Sequence, residues 1–104
     1  MNPKRKEIAE QLKKRIASKY RIRQFLVFGS SARDEAAKES DIDVWVCLDE
    51  LNRDIEENLF DIAYDIELEY DCLIDLIAVS ESDLEGDIGK APIRKNIMAE
   101  GVAL

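Results

Sequence analysis

Histidine is absent from this chain of 104 residues. Without it the sequence lacks the usual neutral-pH general base, Ser-His-Asp and Cys-His catalysis, and histidine-ligated zinc. Cysteine is scarce: Cys47 and Cys72 are the only two, lying in the apolar runs VWVCL and DCLIDLIAV. With no CxxC spacing, they read as small buried hydrophobes in a reducing compartment, and a disulfide would need their runs aligned as neighbouring strands. Four glycines and two prolines exclude a collagenous or low-complexity chain. Also missing is any apolar run of membrane-spanning length, and the first segment, MNPKRKEIAEQLKKRI, lacks the uninterrupted apolar stretch of a signal peptide. A cytoplasmic protein without membrane attachment is expected.

What is present is an ordinary globular composition, 46% hydrophobic and 7% aromatic. The length predicts a single domain spanning 1–104, too small for a large internal cleft. The net charge is −8, unevenly spread. Residues 1–24 carry nine Lys/Arg against Glu7 and Glu10, a balance of +7, while residues 25–104 carry six against 21 Asp/Glu, a balance of −15. Most of the molecule would therefore repel phosphate backbones, so a nucleic-acid partner is not expected. The basic opening segment reads as a solvated helix face.

Periodicity predicts the order helix, strand, short helix, strand, long helix, strand, helix. Pro3 follows a capping Asn2, and Ile8, Ala9, Leu12 and Ile16 recur at helical spacing over 3–19. Residues 24–28 form an apolar strand that stops at Gly29, and Asp41–Leu48 a second strand. A long helix runs from 51 or 52 to about 69, with Ile55, Leu59, Phe60, Ile62 and Ile66 as its apolar stripe. Residues 72–79 form a third strand, a short turn or helix follows near 82–85, and a last helix starts at Pro92 and stops at Gly101. A short helical segment over 30–37 is expected between the first two strands.

Three features converge on one chemistry. Phe28-Gly29-Ser30 ends a buried strand in a turn that offers backbone N–H groups and a hydroxyl to an anion. Ten residues separate Gly29-Ser30 from Asp41 and Asp43, two carboxylates that strand alternation points to one face, where they could share divalent cations. Asp75 interrupts an otherwise apolar strand. Buried there, it would be costly unless paired or metal-bound, and beside the second strand it would complete a three-carboxylate site for Mg²⁺. A triphosphate at Gly29-Ser30 with Mg²⁺ on Asp41, Asp43 and Asp75 suits two-metal phosphoryl transfer, which needs no histidine. Asp71 is a rival third ligand, although its place at the start of the strand favours a solvated role. Trp45 is expected in the core, and Met98 in the core or at a dimer contact.

The strings Gly29-Ser30-Ser31-Ala32-Arg33, Ser40-Asp41-Ile42-Asp43-Val44 and Ile74-Asp75-Leu76 match the GSxxR…SDxDxxV…hDh pattern of the polymerase-β-like nucleotidyltransferases. The chain most resembles the minimal (MNT) members, the antitoxin partners of HEPN toxins, and residues 93–102 resemble their helical tail. The likeness spans about residues 5–104. It implies an α/β (α+β) fold with a small mixed sheet of three or four strands packed by helices. It also implies ATP as donor, Mg²⁺ as cofactor, and transfer of AMP with loss of pyrophosphate. By the same resemblance Gly29, Ser30 and Arg33 bind nucleotide, and Asp41 and Asp43 hold both metals. Asp75 holds the catalytic metal and helps deprotonate the acceptor, a tyrosine hydroxyl of a HEPN toxin. Two rival readings stand beside this one. The same fold could neutralise its partner by occlusion alone, or it could transfer nucleotide to a small hydroxylated molecule. The single short domain argues against the latter, since nothing is left to form a pocket. An exposed acceptor side suggests that the chain works in a homo- or hetero-oligomer.

Overall fold

Asn2 opens the first helix as the sequence suggests: its Oδ1 accepts from the amides of Lys4 and Arg5. In the computed structural model, which describes residues 2–29, 41–86 and 91–104, this helix, α1, spans Pro3–Ala17. It is followed by β1 (Ile22–Phe28), β2 (Ile42–Leu48), α2 (Arg53–Tyr70), β3 (Ile74–Ser80), α3 (Glu81–Glu85), α4 (Pro92–Glu100) and β4 (Val102–Ala103). The short helix expected over 30–37 lies outside the described residues.

The four strands form one mixed sheet in the order β3-β2-β1-β4. β1 runs antiparallel to both β2 and β4, whereas β2 and β3 are parallel. A parallel pair needs a long crossover, and α2 supplies it. Asn52 caps α2 by accepting from the Ile55 amide at 2.9 Å. Asp71 closes it in the left-handed conformation with φ 52°, so this residue is a helix cap and not a strand-borne ligand.

Strand alternation divides the core between the two faces of the sheet. On one, Phe25 and Val27 of β1 join Ile42, Val44, Val46 and Leu48 of β2, packed beneath Ile8, Leu12 and Ile16 of α1 and Leu59, Ile62 and Ile66 of α2. On the other, Leu26, Trp45, Cys47 and Val79 meet Ile97 of α4, with Leu84 and Met98 at the margin. Trp45 is a core residue, 1% exposed, and its Nε1 donates to Gln24 Oε1 at 3.1 Å. Met98 packs partly buried against this second cluster.

The structure corrects three sequence expectations. Phe60 is 45% exposed and does not belong to the apolar stripe, because the core side of α2 is already filled by Leu59, Ala63 and Ile66. The last helix stops at Gly101 as expected, and β4, which the sequence does not announce, follows it and pairs with β1 through Leu26↔Ala103 and Val27↔Val102. The basic face of α1 is not wholly solvated, since Arg5 is 8% exposed. Asp75 is exposed rather than buried. Cys47 and Cys72 are free thiols, and burial pushes both thiols up from their ordinary pKa. Among the described residues no helix is long and apolar enough to cross a membrane.

Candidate active site

The site grows from one end of the sheet. β1 ends at Phe28, whose antiparallel partner is Asp43. Asp43 in turn stands opposite Asp75 in the parallel pairing of β2 with β3. A single row across three strands therefore carries a strand end and two carboxylates. Neighbouring strands lie about 4.8 Å apart, so these backbones are as close as a sheet allows.

Alternation fixes the face. Asp43 shares its side of β2 with Trp45 and Cys47, and Asp75 shares its side of β3 with Ile77 and Val79, the side covered by α4 rather than by α1 and α2. Asp41, exposed and one residue before β2 begins, falls on the same side when the alternation is continued back. Both Asp41 and Asp75 are exposed, and Asp43 is half-buried.

Gly29 follows directly on this row, with φ +68°. That conformation is strained for any residue with a side chain. Space gives a second reason for glycine, since a Cβ here would collide with Oδ2 of Asp43. Backbone and carboxylate are thus packed together where a phosphate would meet both a turn and a cation. Ser30 and Arg33, the other expected nucleotide contacts, lie outside the described residues.

The structure thus brings Gly29, Asp43 and Asp75 together and sets Asp41 beside them. Like charges directly opposite on a sheet repel, and a set of hard carboxylate oxygens with no nitrogen or sulfur suits Mg²⁺ more than a softer metal. In this respect the residues fit the expected ion. Among the described residues, however, no three Cys, Asp or Glu side chains stand close enough to hold a metal. The fold supplies the adjacency of the strand positions, not a gathered cage. A cleft of about 470 Å³ lies elsewhere, lined by Lys6, Glu10 and the three residues 102–104, and contains none of the site residues.

Sequence reasoning missed Arg5. Its Nη1 donates to the carbonyl oxygen of Asp41 at 3.3 Å, which ties α1 to the strand start that carries the carboxylates. The signal was present: Arg5 falls three residues before Ile8 on the apolar stripe, where a charged side chain is out of place.

A mixed sheet covered by helices on both faces, with carboxylates on adjacent strands beside a strand-ending glycine, defines a small protein of nucleotidyltransferase fold. The chain belongs to the nucleotidyltransferase domain family, whose model matches residues 9–104. A curated relative from Methanocaldococcus jannaschii, named "Putative protein adenylyltransferase MJ1379", is 47% identical over 47 residues. That match covers 45% of this chain and 47% of the relative, so it spans about half of the relative's length. A solved structure described as a "putative minimal nucleotidyltransferase" superposes with a TM-score of 0.67 at 23% identity, covering 95% of this chain and 91% of that one. Another, the tri-AMPylated HEPN toxin of Shewanella oneidensis in complex with MNT antitoxin, gives 0.55 at 17% identity, over 96% of this chain and 67% of that one. At these identities the structural likeness speaks for the fold.

Proposed function

We propose that this chain is a Mg²⁺-dependent nucleotidyltransferase that moves AMP from ATP to a hydroxyl of a partner protein, a tyrosine of a HEPN-type toxin, and so serves as the antitoxin of a toxin–antitoxin pair. The observation that carries the reading is the row Phe28↔Asp43↔Asp75, with Gly29 packed against the Asp43 carboxylate. The name of the archaeal relative and the AMPylated toxin in the Shewanella complex support the substrate class.

In this reading Gly29 and Ser30 receive the triphosphate through backbone N–H groups and a hydroxyl, and Arg33 contacts its outer phosphates. Asp41, Asp43 and Asp75 would hold Mg²⁺, which supplies charge neutralisation on the triphosphate and at the attacking oxygen. The acceptor oxygen forms a bond to the α-phosphorus of ATP while the bond from that phosphorus to the α,β-bridging oxygen breaks. Pyrophosphate leaves, and the hydroxyl proton passes to Asp75. Atoms and charge balance without an oxidant or a histidine.

The test combines the protein with α-labelled ATP, Mg²⁺ and the product of its neighbouring gene. The expected result is label on a tyrosine of that product, reduced at least about a hundredfold by Asp41→Ala with Asp43→Ala, as loss of metal-borne charge stabilisation requires. If the double variant still silences the partner in cells, neutralisation is by binding and the catalytic reading fails. Label appearing only on small hydroxylated compounds would move the protein to the other substrate class.

A further inference from the structure

We infer that Arg5 and Glu67 are positioning residues that clamp the two strand starts bearing the candidate metal ligands; the inference rests on the reading of Asp41, Asp43 and Asp75 as that site. Arg5 lies on α1 at a core position, 8% exposed, and donates from Nη1 to the Asp41 carbonyl at 3.3 Å. Glu67 lies half-buried on α2 and accepts through Oε2 from the Ile74 amide at 2.9 Å. Between these two contacts the Ile42 amide donates to the Leu73 carbonyl at 2.9 Å. A line of hydrogen bonds thus runs from one helix, across the first residues of β2 and β3, to the other helix.

Both side chains also act at one corner. The Cys72 thiol is raised first by burial and then by Glu67, while Arg5 opposes the rise. Two helices packed on the far face of the sheet therefore reach its end by charged side chains that bond to backbone at the two strand starts.

The need for a clamp follows from the row it flanks. Asp43 and Asp75 are direct partners, and like charges placed so push strands apart. A slip of one residue would also turn Asp75 to the opposite face and remove it from the row. Hydrogen bonds to charged groups are the stronger kind, and one holds the backbone two residues before Asp43 while the other holds it one residue before Asp75. In this role each residue acts by fixing register.

Manganese alone is the probe, titrated by water-proton relaxation at a temperature where circular dichroism shows every variant folded. Arg5→Met keeps the aliphatic stem and removes the guanidinium, and Glu67→Ala removes the acceptor. Both should weaken Mn²⁺ binding by about tenfold, the scale seen for groups that orient ligands. Arg5→Lys and Glu67→Gln, which retain a donor and an acceptor, should recover most of it. Arg15→Met, which breaks the pair with Glu69 between the same two helices, should lower stability and leave Mn²⁺ affinity unchanged. Hydrogen exchange should quicken at the Ile42 and Ile74 amides in the first two variants only. Wild-type Mn²⁺ affinity in folded Arg5→Met and Glu67→Ala, or an equal loss in Arg15→Met, overturns the clamp. Wild-type Mn²⁺ binding by Asp43→Asn and Asp75→Asn overturns the metal-site reading instead, and the clamp with it. Should Arg5→Met fail to fold, the Glu67→Ala and Glu67→Gln pair decides alone.

Discussion

Gly29 is the residue whose chemistry is most tightly determined by its neighbours. Its φ of +68° and the place of Asp43 Oδ2 where a Cβ would stand both require glycine. Gly29→Ala is expected to cost about 1–2 kcal/mol from the left-handed backbone alone and to push the Asp43 carboxylate aside. Urea unfolding would read the first effect and AMP transfer the second, and a variant with unchanged values of both would refute the packing argument. The motif residues Gly29, Asp41, Asp43 and Asp75 could all be picked from the sequence by type and spacing. The surroundings of Asp75 could not. Interrupting an apolar run suggests burial, yet it is exposed as the second residue of β3, near the end of the sheet, while Ile77 and Val79 further along the same side are covered. Asp71 was a rival ligand on spacing alone, and only the left-handed closure of α2 shows it as a cap.

At the scale of elements, local signals were strong wherever a helix or strand had its own period. α1, α2 and the three long strands follow from apolar spacing, and the starts of α1, α2 and α4 from Asn2, Asn52 and Pro92. Asn52→Ala should remove the bond to the Ile55 amide and lower stability by about 1 kcal/mol, measurable as a shifted urea midpoint. Mn²⁺ affinity should be untouched, because the cap lies at the far end of α2 from Glu67. β4 gave no such signal. Two residues cannot show a period, and their extended form comes from pairing with β1. Gly101 just before it permits that approach: a Cβ there would lie 2.6 Å from the Ile97 carbonyl oxygen and 3.1 Å from Leu26 Cδ1.

The whole molecule explains the lopsided charge that the sequence displays. α1 packs beside α2, so the basic segment meets the acidic one within the fold. Arg15 pairs with Glu69 across the helices, and Lys4 Nζ sits 4.9 Å from the centre of the Tyr70 ring. The Arg15 guanidinium holds the Glu69 carboxyl below its ordinary value of 4.5. A depressed carboxyl contributes stability above its unfolded pKa and loses it as pH falls through the folded one. Wild type should therefore be more stable than Glu69→Gln near neutrality, and the gap should close as the pH drops below about 4.5. Urea midpoints at several pH values check this, and a gap that widens in acid would contradict it. The amino-acid sequence by itself determined the helices and long strands, the glycine turn and the three aspartates, because periodicity and residue chemistry are local. Only the tertiary structure decided that Asp43 faces Asp75, that Arg5 is buried at their strand starts, and that β4 closes the edge. Those are questions of register and packing between segments distant in the chain, on which local spacing has no hold.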